Sequence, residues 1–113
     1  MENQTALNEE RLRLRDKFAQ VLPDLMTNEQ KVLDVVYRDG ALSTKVKRLM
    51  SLAIALRARC INCILAQTMR ALEAGATREE ILETLSVNVA MSGTTGIAEA
   101  LRVVKLLEEL GEI

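Results

Sequence analysis

Cys60 and Cys63 are the residues of this 113-residue chain whose type and spacing suggest chemistry. A separation of three places both sulfur atoms on one face of a helix, with Cα atoms roughly 5 Å apart, which permits a disulfide. If a helix begins at Cys60, its free N–H groups and its dipole stabilise a thiolate, which is the nucleophilic form of cysteine. Attack on a peroxide gives a sulfenic acid, which the second thiol converts to a disulfide that an external dithiol can reduce. The pair therefore predicts a redox-active site.

Other interpretations of the cysteine pair remain open from the sequence. No Gly or Pro separates it from the preceding helical pattern, so one helix could run through both cysteines and leave no helix end to stabilise a thiolate. Free cysteine is also one of the most buried small apolar residues, so the pair could be inert core. A structural zinc site usually needs four ligands, and the chain offers two thiolates and no histidine. We expect no metal and no cofactor.

The composition excludes several classes of function. Fifteen Lys and Arg against sixteen Asp and Glu give a formal charge of −1, so no basic surface for nucleic acid or anionic membrane is indicated. Histidine is absent, which removes the commonest general base and any Cys–His nucleophile. No apolar run reaches the roughly 18 residues of a membrane span, and the first residues do not resemble a secretory signal. We therefore expect a cytoplasmic protein that binds neither nucleic acid nor membrane.

Apolar residues recur at helical spacing along the chain without an alternating strand pattern. This periodicity predicts an all-α fold of about six helices in a single domain, residues 1–113. The first segment is amphipathic, with apolar positions from Leu7 to Leu25, and ends near Pro23. Capping and turn signals predict the other boundaries: a capping box at Thr27 and Gln30, a stop at Gly40, a cap at Ser43 or Thr44, a C-terminal cap at Gly75, a second capping box at Thr77 and Glu80, and a cap at Thr95.

The helical stretch from Lys45 to Glu73 is unusually apolar. Residues 49–56 cover almost the whole circumference of two helical turns, so this helix is expected to be buried on all sides. One small domain rarely surrounds a helix completely, and a second subunit is therefore expected to cover part of it. The sequence thus predicts a homo-oligomer.

Three runs of residues resemble a known family. They are residues 45–55, the run Cys60-Ile61-Asn62-Cys63, and residues 71–83, whose most specific part is Ala-Gly-Ala-Thr-Arg-Glu-Glu-Ile. Over about residues 42–107, the sequence resembles the carboxymuconolactone decarboxylase and alkylhydroperoxidase D-like family. The resemblance implies an all-helical protein that assembles as a trimer or hexamer and, with the cysteine pair, acts as a thiol-dependent peroxidase or disulfide oxidoreductase. Hydroperoxides or protein disulfides would be its substrates, and an external dithiol its reductant.

The proton relay of this family is replaced in the chain. The family pairs its cysteines with a Glu twelve positions before the first and a His four positions after the second; here those positions hold Arg48 and Gln67. Neither is a base near neutral pH, because Arg stays protonated and an amide does not titrate. We expect a thiolate stabilised by the charge of Arg48 and by a hydrogen bond from Gln67. The candidate catalytic residues are thus Cys60, Cys63, Gln67 and Arg48.

Three functions remain open. The first is a thiol-dependent antioxidant enzyme, in which the helix start favours Cys60 as the attacking residue and the family's base position favours Cys63. The second is a non-catalytic oligomeric module that has lost the relay and serves as a scaffold or binds a small apolar ligand, with Arg48 solvated or paired with Glu80 or Glu83. The third, lactone decarboxylation, is disfavoured because the chain has no His for proton transfer.

Overall fold

The computed structural model describes all 113 residues and contains no β-strand, which confirms the predicted all-α fold. No helix combines the length and apolar character that a membrane crossing requires. The six helices are α1 (Gln4–Val21), α2 (Pro23–Val36), α3 (Thr44–Ala58), α4 (Ile61–Glu73), α5 (Arg78–Ser92) and α6 (Thr94–Glu109).

The apolar stretch predicted as one helix is divided immediately before the cysteines. α3 ends at Ala58, and Arg59 adopts a left-handed conformation with φ 58°. The N–H of Arg59 bonds back to carbonyls of the last turn of α3, which closes that helix. Cys60 is then the N-cap of α4. The interpretation of one helix running through both cysteines is therefore wrong.

The boundary between α1 and α2 differs from the sequence prediction. α2 begins at Pro23 and ends before Gly40, and Thr27 lies inside the helix. Proline suits the first helical position because its φ is already helical and its missing N–H has no partner there. Gln30, the other half of the predicted capping box, instead donates to Asp34 Oδ1 at 2.8 Å. The capping box that was predicted to start this helix is therefore wrong.

The other capping predictions around the core are largely confirmed. Ser43 Oγ accepts from the N–H of the third residue of α3 at 3.1 Å. Thr77 and Glu80 form a reciprocal capping box, with bonds of 2.9 and 3.1 Å between each backbone N–H and the other side chain. Gly75 has φ 91° after the end of α4, a conformation that L side chains rarely adopt. Gly75 and the capping box at Thr77 thus set the two ends of the α4–α5 connection, and Ser43 sets the start of α3.

Gly96 permits the close approach of α5 and α6. A Cβ at Gly96 would lie 3.0 Å from the carbonyl oxygen of Asn88 and 3.1 Å from Cα of Val89. Any larger residue at this position would therefore push the two helices apart. The predicted cap at Thr95 is wrong, because α6 begins one residue earlier and its N-cap is Gly93, at φ 64°, without a side-chain bond.

Helices α3 to α6 build the core, and its side chains are aliphatic. This agrees with an aromatic content of 2%. Leu52, Ile64, Ile81, Val103 and Leu107 are completely shielded from solvent. The full cluster comprises Leu52, Ala55, Leu56, Ile64, Ala71, Ala76, Ile81, Leu85, Ala100, Val103 and Leu107.

The apolar stripe of α1 lies at the surface of the single chain. Leu14 and Phe18 are 50% and 44% exposed, whereas the buried residues of α1 are Gln4 and Asn8. α2 contributes no buried residue. The predicted amphipathic pattern is therefore present, but its apolar face does not join the core.

A carboxylate of α6 holds the N-terminus of α1. Glu109 accepts hydrogen bonds from the N–H of Gln4 at 3.0 Å, the N–H of Thr5 at 2.7 Å and the hydroxyl of Thr5 at 2.8 Å. Burial raises the pKa of Glu109, but these hydrogen bonds outweigh it and place the pKa below its ordinary value. The ionised carboxylate thus ties the first helix to the last.

Glu109→Gln is expected to lower stability in a pH-dependent manner. Because the folded pKa is depressed, the stabilisation is present above the unfolded pKa of about 4.3 and is lost as the pH falls through the folded value. Thermal unfolding of both proteins measures this: the difference in melting temperature should be largest near neutral pH and should shrink on acidification. A difference independent of pH would show that the carboxylate charge does not hold α1.

Candidate active site

The cysteine pair lies at the N-terminus of α4 and forms a disulfide. The Cα atoms of Cys60 and Cys63 are 5.2 Å apart. Cys60 Sγ accepts a hydrogen bond from the backbone N–H of Cys63 at 3.3 Å, as the side chain of an N-cap residue does. A backbone N–H and the positive end of a helix dipole at a cysteine are the groups that favour a thiolate over a thiol. Of the two arrangements that the sequence left open, the structure has the helix that starts at the first cysteine.

The disulfide lines a pocket of about 320 Å³. Cys63 is exposed and Cys60 is half-buried, so a reactant can reach the pair from solvent. The interpretation of the cysteines as buried core residues of the chain is therefore wrong. The apolar wall of the pocket consists of Ile54, Ala55 and Ala58, and the polar side chains that line it are Tyr37, Ser51 and Gln67.

The two side chains at the family's relay positions bind each other. Arg48 Nη1 donates to Gln67 Oε1 at 3.1 Å. Since guanidinium groups only donate, this bond fixes the amide with its oxygen towards Arg48. The amide nitrogen of Gln67 then has no partner in the chain and can donate to a group in the pocket. Arg48 does not line that pocket, so it acts on the site through Gln67 and through Tyr37, which both line it.

Arg48 also packs on an aromatic ring. Its Cζ lies 3.4 Å from the centroid of the Tyr37 ring, within cation–π range. Burial lowers the pKa of the Arg48 guanidinium from its ordinary value. Glu80 forms its ion pair with Lys45 at 2.9 Å, and Glu83 forms none. The interpretation of Arg48 as a partner of Glu80 or Glu83 is therefore wrong.

Tyr37 and Ser51 are pocket residues that sequence reasoning missed. Their hydroxyl oxygens are 2.5 Å apart, and Ser51 Oγ also donates to the carbonyl of Lys47 at 2.9 Å. Tyr37 is the one tyrosine of the chain, which was the only sequence signal for it. Because Ser51 gives its one hydroxyl proton to Lys47, Tyr37 donates to Ser51, and the Tyr37 oxygen is left as an acceptor for a group in the pocket.

The two arginines before the cysteines differ in charge compensation. Arg59 Nε lies 3.4 Å from Glu99 Oε1, and this ion pair offsets part of the Arg59 charge. Arg57 is exposed and forms no ion pair. The positive charge of Arg57 is therefore not offset by a carboxylate of the chain, whereas that of Arg59 is partly offset by Glu99.

Comparison with known proteins identifies the family. Residues 23–106 match the sequence model of the carboxymuconolactone decarboxylase family. The chain therefore belongs to the carboxymuconolactone decarboxylase family, and the resemblance seen in the sequence is confirmed.

Individual relatives agree with this assignment. A carboxymuconolactone decarboxylase family protein from Legionella pneumophila, in its apo crystal structure, superposes with a TM-score of 0.88 at 30% identity, covering 96% of this chain and 97% of that one. A Thermotoga maritima member, for which involvement in an antioxidative response is suggested, gives 0.78 at 34% identity and 91% coverage of both chains. An uncharacterised Cupriavidus necator protein is 34% identical over 93 residues, 82% of each chain.

Proposed function

We propose that the protein is a thiol-dependent peroxidase that cycles Cys60 and Cys63 between dithiol and disulfide. The observation that carries the proposal is an accessible disulfide at a helix N-terminus, lining a pocket with an apolar wall and the amide donor of Gln67. The antioxidative role suggested for the Thermotoga relative supports the same class of chemistry. A scaffold role alone would need no accessible redox-active pair.

Cys60 is the attacking residue in this proposal. Its thiolate attacks one peroxide oxygen, the O–O bond breaks, and the leaving alkoxide takes a proton to become an alcohol. Cys63 then attacks the Cys60 sulfenic acid, the S–S bond forms, and water leaves. An external dithiol reduces the disulfide and is itself oxidised to a disulfide. The sum is one hydroperoxide and one dithiol giving one alcohol, one water and one disulfide.

Electrostatic stabilisation replaces the base that the family relay provides. The N–H of Cys63 and the α4 dipole stabilise the Cys60 thiolate. Gln67, oriented by Arg48, supplies an amide donor for the peroxide. Each of these groups acts near neutral pH without changing its own charge.

A peroxide-consumption assay tests this function. Reduced protein, tert-butyl hydroperoxide and excess dithiothreitol should give consumption that is proportional to protein concentration and saturates with peroxide. A protein disulfide offered in place of the peroxide tests the disulfide-oxidoreductase activity in the same reaction mixture. If neither substrate is turned over faster than by dithiothreitol alone, the proposal of an enzyme is wrong.

The thiol pKa of Cys60 should be depressed below the free-cysteine value of about 8.5, because the charged form gains the helix-terminal hydrogen bond. The variant Cys63→Ser contains this one thiol alone. Its thiolate absorbance at 240 nm should titrate with a midpoint about one pH unit below the free-cysteine value. Cys60→Ser is the matched control and reports Cys63. A Cys60 midpoint at or above the free value would contradict the proposed activation.

The proposed site of action is the cytoplasm, where thiols are kept reduced and dithiol reductants are available. A chain with two cysteines and an accessible disulfide suits a pair that is reduced after each turnover. Alkylation of the protein in growing cells should find the pair mainly reduced, and a brief peroxide challenge should oxidise it.

We also propose a homo-oligomer, either a trimer or a hexamer. The chain leaves large apolar side chains exposed on adjacent helices, including Ile54 at 66%, Val87 at 60% and Met91 at 80%. Contiguous apolar surface of this kind marks a protein–protein contact. Sedimentation velocity should give a mass of three or six times 12.6 kDa, and a mass of 12.6 kDa would contradict the oligomer. Met91→Glu should shift the protein towards monomer, whereas Ser86→Glu on the same helix should not.

A further inference from the structure

A second cavity, of about 420 Å³, adjoins the cysteine pocket. Tyr37 and Gln67 line both cavities and therefore form the partition between them. The cavity is unusual in its charge, because four arginines from three helices line it: Arg11 and Arg15 of α1, Arg48 of α3 and Arg70 of α4.

Most of these arginines lack an anionic partner. Arg11, Arg15 and Arg48 form no ion pair with any carboxylate of the chain. Arg11 donates to Asn8 and Arg48 donates to Gln67, which are both neutral acceptors. Arg70 pairs with Glu73 at 3.1 Å, outside the cavity lining. Half-buried guanidinium groups without a counter-charge repel one another.

This repulsion is visible in the guanidinium pKa values. Burial lowers the pKa of Arg11, and the charges of Arg15 and Arg70 lower it further. Burial is also the main cause that lowers the pKa of Arg48; the charge of Arg70 acts in the same direction, and Tyr37 and Glu73 act against it. An anion bound between these groups would remove the repulsion.

The carboxylates of the cavity do not neutralise its arginines. Glu29 and Asp34, both on α2, line it as well. Asp34 accepts from the Gln30 amide at 2.8 Å, and Glu29 forms neither a hydrogen bond nor an ion pair. With four guanidinium groups against two carboxylates, the lining is net positive.

We propose that this arginine cavity binds the carboxylate of a small organic acid, and that this acid is the hydroperoxide reduced by the cysteine pair. Guanidinium groups match a carboxylate with two parallel hydrogen bonds, and the cavity has the volume of a small-molecule site. The acid end is held by Arg11 and Arg15, and the peroxide end lies across the Tyr37–Gln67 partition, towards the disulfide. The assignment as substrate rests on the proposed peroxidase function; the anion site does not.

Anion binding is tested without any turnover. Isothermal titration of the Cys60→Ser protein with succinate should show saturable binding, and the uncharged succinamide should show none. Arg15→Gln should weaken succinate binding about tenfold, because it removes a charged hydrogen-bond donor. Glu29→Gln should tighten it, because it removes a negative charge from the lining. Arg13→Gln, an exposed arginine of α1 paired with Glu10, is the control and should leave affinity unchanged.

Arg15→Gln and Glu29→Gln are expected to change succinate affinity in opposite directions. General damage to the fold would lower the affinity in both variants, so this comparison distinguishes an electrostatic site from damage. Equal binding of succinate and succinamide, or no binding of either to folded protein, would overturn the anion site. If both variants weaken binding together, the charge argument is wrong.

The substrate assignment is tested by rate. A hydroperoxy-substituted hexanoate should be reduced with a kcat/KM about tenfold above that of its methyl ester, and Arg15→Gln should bring the two values together by slowing the acid alone. If succinate binds but the acid and the ester react at equal rates, the bound anion is an effector and not the substrate. That result would overturn the assignment of the acid as the hydroperoxide substrate. Succinate binding with no turnover of either peroxide would refute the peroxidase function and leave the anion site standing.

Discussion

Replacement of Cys60 by serine is expected to abolish peroxide reduction by the protein. The hydroxyl of serine is not ionised near neutral pH, so the nucleophile at the N-terminus of α4 is lost. Removal of a nucleophile typically costs roughly a thousandfold or more in turnover. The measurement is peroxide consumption with dithiothreitol, compared between the native protein and Cys60→Ser at equal concentration.

Cys63→Ser is the informative partner of this variant. Cys60 and its N-cap geometry remain, so a single oxidation to sulfenic acid should still occur, while disulfide formation cannot. Dimedone should trap one adduct on Cys60 after one equivalent of peroxide, and no adduct should form in Cys60→Ser. An adduct on Cys63 in place of Cys60 would reverse the assignment of the attacking cysteine. Native turnover in both variants would exclude the cysteine mechanism.

Ile64→Ala is expected to lower the free energy of unfolding by about 3 kcal/mol. Ile64 is fully shielded, follows Cys63 directly in α4 and belongs to the core cluster. Truncation of a buried Ile removes apolar contacts and leaves a cavity, which costs about 2–5 kcal/mol in comparable cores. Denaturant unfolding followed by circular dichroism gives the difference, provided that the reduced and oxidised proteins are measured separately.

The neighbouring Ile61 supplies the control for this effect. Ile61 begins α4 and is 43% exposed, so Ile61→Ala should cost less than about 1 kcal/mol. Both variants change the same residue type in the same helix, which isolates burial as the cause. Equal losses in the two variants would contradict the core assignment of Ile64.

The cysteine geometry could be predicted from spacing because it is local. A separation of three residues sets the distance between Cα atoms, and the observed 5.2 Å agrees with the expected value of roughly 5 Å. The helix start at Cys60 could not be settled from the sequence, because the helix before it ends at Arg59 rather than at a glycine. A non-glycine residue in the left-handed conformation leaves no compositional signal.

Helical periodicity predicts α1 itself but does not predict which residues pack against it. The apolar residues of α1 recur at helical spacing, but spacing cannot say what covers them, and the chain buries Gln4 and Asn8 instead. At the start of α2, the fixed φ of Pro23 overrides the capping signal at Thr27. The covering of α1 depends on long-range contacts and the start of α2 on a competing local effect, and helical spacing reports neither.

The polar side of the site also depends on tertiary contacts. Arg48 and Gln67 were identified through the family pattern, but their mutual hydrogen bond joins residues nineteen positions apart on two helices. Tyr37 and Ser51 meet across fourteen positions and carry no motif. Such pairs become visible only when α3 is packed against α4 and against the C-terminal end of α2.

The redox cycle of Cys60 and Cys63 is tested most directly by alkylation and mass measurement through one round of oxidation. Fully reduced protein should take up two alkyl groups, should take up none after one equivalent of tert-butyl hydroperoxide, and should take up two again after dithiothreitol. We predict that the uptake of two alkyl groups is restored in the same sample. The peptide that contains both cysteines joined by a disulfide should be present after oxidation and absent after reduction. Two alkyl groups at every stage, under peroxide that oxidises a control dithiol, would contradict the account.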